Sequence, residues 1–275
     1  MALEALRGIL SDDKVRAAVL HPEILVGTFS YLLMKPVLKR SGLVDTRKGA
    51  YRRSMVVYNL LMAVFSAGCF FTTATALGWD RGYGEWLRQL SGDSAYVQLF
   101  TQEQCPSPVW RSRLFVGSVY AFYYSKYVEY LDTAWMVLKG KEVIFLQSFH
   151  HFGAPWDVYL GIALQNEGVW IFMILNSFIH TIMYTYYGLT ALGITYPGKC
   201  MITISQITQF LGGFYLVWEY IDIPCFRASP SLVFSWLFNY AYVGIVLTLF
   251  LRFFYFDNFV KKKRMKSSQP KSKEL

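Results

Sequence analysis

Seven long apolar runs, joined by connections mostly too short to hold a soluble domain, set the first limit on what this chain can fold into. They lie roughly over residues 20–38, 54–77, 114–138, 143–164, 168–192, 200–218 and 231–255, and most match the ~20 residues that a helix needs to cross a bilayer. In hydrocarbon a helix satisfies its own backbone polar groups without an external partner. The runs therefore predict an all-α membrane protein with seven transmembrane helices. The first run is the weakest, because Lys35 and Pro36 interrupt its end. Nothing at the N-terminus has the form of a cleaved signal peptide, and only residues 78–113 make a long connection. The expectation is one polytopic membrane domain over residues 1–275, ending in a basic tail at 257–275.

Charge supports the same class. Only 16% of the residues are charged, against about 25% in soluble domains, and 54% are hydrophobic. The net charge of +9 is gathered in loops and in the tail rather than on a face interleaved with aromatics, which sets nucleic acid aside as a partner. Most basic residues lie between the first two runs and in the tail, joined by Lys139, Lys141 and Lys199. The positive-inside rule makes those segments cytosolic, with the N-terminus on the lumenal side and the C-terminus in the cytosol. Cys105 and Cys225 then share the lumenal connections, where a disulfide can persist, and form the disulfide candidate. Lys271 and Lys273, fifth and third from the end, look like a cytosolic dilysine retrieval signal for the endoplasmic reticulum membrane. An ordinary solvated basic tail is the plainer alternative.

Polar residues inside the runs say where function lies. Gln147, His150 and His151 sit at i, i+3 and i+4, so a helix projects them from one face. Measured from the predicted cytosolic end of each run at 1.5 Å per residue, these three lie ~6–12 Å deep. By the same measure Asp132, Glu129 and Lys126 lie ~9, ~13 and ~18 Å deep, His180 ~18 Å with Asn176 one turn deeper, and Gln206 and Gln209 ~9–14 Å. Charges at mid-bilayer cost roughly 2.5–3.5 kcal/mol each even on a lenient scale. Polar groups from several runs in one layer thus predict a polar chamber in the cytosolic half of a bundle. For Lys126, Glu129 and Asp132, a structural ladder of ion pairs on one helix is as open as a role at the site.

Several chemistries lack support. The intramembrane histidines are too few for a multi-histidine di-iron centre, and adjacent histidines on a helix diverge by ~100°. No metal is expected. No Gly-rich phosphate loop or Gly-x-Ser-x-Gly elbow occurs, and no cysteine has a histidine beside it in sequence. A seven-helix transporter or receptor with an intramembrane polar site is the alternative class, although a retinal Schiff base would want a lysine in the seventh run and none is there.

Four stretches resemble the very-long-chain fatty acid elongases, the 3-oxoacyl-CoA synthases. Lys126-Tyr-Val-Glu129-Tyr-Leu-Asp132-Thr133 matches that family's KxxExxDT, and Gln147-Ser-Phe-His150-His151 stands where it has HxxHH. Asn176-Ser-Phe-Ile-His180-Thr-Ile-Met183-Tyr184-Thr-Tyr186-Tyr187 matches NxxxHxxMYxYY, and Thr203-Ile-Ser-Gln206-Ile-Thr-Gln209 matches TxxQxxQ. Gln147 departs from the family's first box histidine. That departure, with Phe152 to Asp157, is similar to microalgal elongases that act on C18 polyunsaturated chains whose first double bond is at C9.

The resemblance implies a condensing enzyme that joins malonyl-CoA to such an acyl-CoA, giving a 3-oxo-C20-acyl-CoA with release of CO2 and CoA. It implies spans two to seven around an acyl-CoA tunnel open to the cytosol, span one packed outside, and no cofactor beyond the two substrates. By the same analogy His150 is the nucleophile that forms an acyl-histidine, with His151 and His180 positioning it and transferring protons. Lys126, Glu129, Asp132, Gln147, Asn176, Tyr184, Tyr187, Gln206 and Gln209 are the binding or supporting residues. The bilayer and the reductases and dehydratase of the elongation cycle are the candidate partners.

Overall fold

The computed structural model describes residues 8–9, 11–43, 51–77, 105–106, 108–166, 168–194 and 197–260. Lys271 and Lys273 lie outside these residues, as does most of the basic tail. Every regular element among the described residues is helical. In chain order they are α1 (Asp13–Val19), α2 (Pro22–Arg40), α3 (Arg52–Ala76), α4 (Arg113–Val128), α5 (Tyr130–Leu138), α6 (Phe145–Ala163), α7 (Val169–Leu192), α8 (Lys199–Trp218), α9 (Pro224–Arg227) and α10 (Pro230–Tyr255). Short 3-10 turns cover Pro108–Arg111 and Glu219–Asp222.

Local chemistry fixes the helix ends. Asp12 accepts from Lys14 N at 2.8 Å ahead of α1, Ser112 from Phe115 N at 3.3 Å ahead of α4, and Ser229 caps α10 just before Pro230. Each satisfies a backbone donor that a first turn leaves unpaired. The far end of α7 closes on Gly193, whose φ of +95° suits a residue without a Cβ. There Arg52, at the start of α3, donates to the carbonyls of Ala191 (2.7 Å) and Leu192 (2.6 Å). A cation on the last carbonyls of α7 thus ties it to α3, and the two helices pack along most of their length.

Among the described residues, five stretches are long and apolar enough to cross a membrane: Asp13–Arg40, Arg52–Ala76, Val169–Leu192, Lys199–Asp222 and Pro230–Val260. Seven were expected. The run 114–138 is divided at Glu129 into helices of 16 and 9 residues. The run 143–164 forms the 19-residue α6, where Gln147, His150, His151 and Asp157 dilute its apolar character. The two runs that fall short are those that carry most of the charged and imidazole side chains. Outward-facing Leu61, Val64, Leu211 and Tyr215 are largely exposed, the surface a bilayer covers and water does not.

Neighbouring helices close on each other. Contacts run from α3 to α4, α4 to α6, α6 to α10, α10 to α8, α8 to α7 and α7 back to α3. Helix α2 packs outside this circuit, on α5 and α6. One apolar cluster joins Ile24, Phe115, Val119, Leu160 and Met173. Another gathers Ile171, Val217, Tyr220, Phe226 and Trp236 beside a disulfide between Cys105 and Cys225, whose Cα atoms are 5.8 Å apart. That bond closes a stretch of 120 residues, and a loop so long is stabilised by up to about 4–5 kcal/mol on the chain-entropy model. Peptide mapping under non-reducing conditions is expected to recover Cys105 linked to Cys225, and Cys225→Ser to lower the thermal midpoint in detergent. Recovery of both thiols free from native membranes is the contrary result.

Candidate active site

The polar residues singled out in the sequence converge on one cavity of about 640 Å3 inside the ring. Glu129 and Asp132 reach it from the α4–α5 junction, Gln147, His150 and His151 from α6, Asn176, His180, Tyr184 and Tyr187 from α7, and Gln206 and Gln209 from α8. Lys126 does not line it; the side chain lies behind Glu129, 3% exposed. Apolar residues such as Met136, Ile202, Phe210 and Phe250 complete the wall, with Lys139, Lys141 and Lys199 also bordering it.

Lys126 and Glu129 form an ion pair at 2.7 Å, both almost fully buried. The ammonium also donates to Asn176 Oδ1 at 2.9 Å and lies 4.1 Å from the centroid of the Phe122 ring. With its oxygen committed to Lys126, Asn176 turns its amide N–H toward His180 Nε2, 3.1 Å away. His180 therefore accepts at Nε2 and carries its proton at Nδ1, which faces Glu129 Oε1 at 3.4 Å. Four side chains, from α4, the α4–α5 junction and α7, close one circuit. Asp132 stands apart from it and accepts from the Tyr184 hydroxyl at 2.6 Å. The three charges of this stretch are thus one ion pair and one hydrogen-bonded carboxyl group, not a continuous ladder.

The α6 residues divide in a similar way. Gln147 Nε2 lies 2.8 Å from His151 Nε2, so the amide donates to that nitrogen. The His151 ring sits among Tyr31 and Tyr130, at centroid distances of 6.1 and 6.4 Å. Among the described residues no side-chain amide bonds the His150 ring; its partner is the Tyr242 hydroxyl, 3.1 Å from Nδ1. Ligand atoms of Glu129, His150 and His180 lie within 4.8 Å of one another, a spacing a divalent ion could use. The Lys126 ammonium on the same carboxylate already supplies the positive charge there.

Sequence reasoning missed Tyr242 and Tyr31. Tyr31 comes from α2, outside the helical circuit, and hydrogen-bonds Thr133 at 3.1 Å. Both are aromatic residues in a chain that is 18% aromatic. The only signal for Tyr242 is indirect, a glycine at 153 one turn from His150.

Removing one member of a buried pair leaves the other charge uncompensated, at a cost of about 3–5 kcal/mol. Glu129→Gln and Lys126→Met are each expected to destabilise the protein by that order. The double substitution should recover most of the loss. Thermal unfolding of the four proteins in detergent measures the coupling, and simple additivity would contradict it.

Comparison with known proteins gives one consistent result. The family model described as "ELO: GNS1/SUR4 family" matches residues 19–267. The chain is 30% identical over 243 residues to "Very long chain fatty acid elongase 7" of Rattus norvegicus, covering 84% of this chain and 78% of that protein. It is 35% identical over 153 residues to "Fatty acid elongase A" of Dictyostelium discoideum, covering 55% of this chain and 56% of that one. Over 159 residues it is 30% identical to "Very long chain fatty acid elongase 1" of Homo sapiens, covering 54% of this chain and 55% of that one.

Proposed function

This chain belongs to the ELO (GNS1/SUR4) family, and from that premise we propose that it is a condensing enzyme of fatty acid elongation acting through an acyl-histidine. It joins malonyl-CoA to a C18 polyunsaturated acyl-CoA and releases CO2 and CoA. The observation that carries the reading is the different environment of three imidazoles on one cavity. Side-chain amides donate to His151 and His180, whereas among the described residues no amide donates to His150. Its lone pair is the one left for a substrate carbon.

In this scheme a His150 nitrogen attacks the thioester carbon, a C–N bond forms, the C–S bond breaks and CoA departs. Loss of CO2 from malonyl-CoA generates a carbanion that attacks the acyl carbon and breaks the C–N bond. Asn176 and Gln209 supply amide donors for the oxyanion or the enolate. His180, with Nδ1–H on Glu129, and His151 transfer and hold protons at the edges of the site. The apolar surround keeps water from diverting the intermediate to free acid. Lys139, Lys141 and Lys199 suit the CoA phosphates at the cytosolic mouth.

The same reading makes α4–α5 and α6 two further spans, seven in all, because they complete the circuit of helices around the cavity. Their polar residues face inward, where an acyl-CoA tunnel opens to the cytosol. It places the Cys105–Cys225 bond on the lumenal side of the endoplasmic reticulum membrane, opposite the basic residues, with the N-terminus lumenal. A transporter or receptor is not favoured, since the family is one of fatty acid elongases.

Two experiments test the proposal. Purified protein given acyl-CoA alone is expected to release about one equivalent of CoA per site and to carry an acyl adduct on the peptide bearing His150. His150→Ala should abolish both signals and Gln147→His should retain them. Normal turnover with no CoA release before malonyl-CoA is added would make His150 a base instead. A yeast host expressing the protein and fed linoleic, γ-linolenic and saturated acids is expected to elongate linoleic acid best. A preference for either of the others removes the C9 assignment and leaves the elongase reading in place.

A further inference from the structure

Tyr242, on α10, is 8% exposed and is not part of the cavity wall. Its ring lies in a notch on α6 made by Gly153. A Cβ at that position would stand 2.3 Å from Tyr242 Cε2 and 2.8 Å from Cδ2, too close for any side chain larger than hydrogen. Phe149 covers the ring at a centroid distance of 5.8 Å and an interplanar angle of 24°. The ring is therefore held against α6 one turn from His150.

From that notch the hydroxyl meets two polar atoms of one residue. It donates to the His150 backbone carbonyl at 2.9 Å and lies 3.1 Å from His150 Nδ1. A phenol has one proton, and a carbonyl oxygen can only accept. With the proton committed to the carbonyl, the hydroxyl oxygen accepts at Nδ1, so Nδ1 is the ring nitrogen that bears hydrogen. We propose that Tyr242 is a positioning residue that holds His150 as the Nδ1–H tautomer and so presents the Nε2 lone pair to the thioester carbon. This rests on the reading of His150 as acyl acceptor.

The chemistry then balances without a proton leaving the ring. Nε2 bonds to the acyl carbon as the C–S bond breaks and CoA leaves as thiolate, while Nδ1–H stays on the Tyr242 oxygen. When the malonyl-derived carbanion attacks, the C–Nε2 bond breaks and its electron pair returns to Nε2. Without the hydroxyl, Nδ1–H is a buried donor with no acceptor. The proton then shifts to Nε2 and occupies the lone pair needed for attack. A buried unpaired N–H moves such a tautomer ratio by about tenfold to a hundredfold.

Two variants approach the contact from opposite sides. Tyr242→Phe keeps the ring in the notch and removes the hydroxyl; Gly153→Ala keeps the hydroxyl and fills the notch. Each is expected to slow CoA release from acyl-CoA alone by about tenfold to a hundredfold, with the KM for malonyl-CoA little changed. A second readout does not depend on acylation. Carbethoxylation of His150 by diethyl pyrocarbonate, followed by peptide mass, should slow by about tenfold in both variants, with His180 unaffected. Wild-type rates of both reactions in Tyr242→Phe overturn the proposal. If that variant fails to fold, wild-type rates in Gly153→Ala do so. If carbethoxylation slows but the wild-type protein releases no CoA without malonyl-CoA, the tautomer assignment stands and the acyl-histidine reading falls.

Discussion

An ammonium and a carboxylate held 2.7 Å apart, with almost no solvent on either, would each cost several kcal/mol to bury alone. Together they are tolerable only with their remaining hydrogen-bonding capacity filled. Here that requirement organises the site. Lys126 places its second bond on Asn176, which turns the Asn176 amide onto His180, which in turn faces Glu129 with Nδ1. One tautomer and one amide orientation satisfy the circuit, so a stability requirement on α4 fixes the proton of an imidazole on α7.

The break at Glu129 belongs to the same requirement. A continuous helix through Lys126, Glu129 and Asp132 would set all three along one face at roughly one-turn intervals. Ending α4 at Val128 and starting α5 at Tyr130 accompanies a split in partners. Lys126 and Glu129 turn to α7 at Asn176 and His180, and Asp132 turns to Tyr184 a turn further along α7. Two packed helices thereby share their polar contacts in two tiers. The opposite faces of α3 and α8 stay apolar and outward, as Leu61, Val64 and Leu211 show.

Polar side chains in apolar runs were legible because they have no bland explanation in hydrocarbon. Periodicity alone grouped Gln147 with His150 and His151, and rough depth grouped them with Glu129, Asp132 and His180; all six line one cavity. The helix break at Glu129 was not legible, since Lys-Tyr-Val-Glu-Tyr-Leu-Asp contains neither glycine nor proline. Nor were Tyr31 and Tyr242. A tyrosine in a membrane helix reads as packing unless something says where its hydroxyl goes, and that depends on a partner about a hundred residues away: Thr133 for Tyr31, His150 for Tyr242. The notch at Gly153 has meaning only once α10 is seen against it.

The departure at position 147 bears on mechanism through the same hydrogen-bond logic. An imidazole there could donate to His151 or take a proton from it; an amide can only donate or accept a hydrogen bond. Gln147 keeps the first function, with Nε2 set 2.8 Å from His151 Nε2, and loses the second. A scheme that draws protons through position 147 is therefore closed to this chain. The imidazoles on the cavity besides His150 are His151, held by Gln147, and His180, held between Asn176 and Glu129. Of these, His180 has a carboxylate against its N–H, with Glu129 Oε1 3.4 Å from Nδ1. Gln147 thus fixes His151 as a hydrogen-bond acceptor at Nε2, while His180 accepts from Asn176 and keeps its N–H on Glu129.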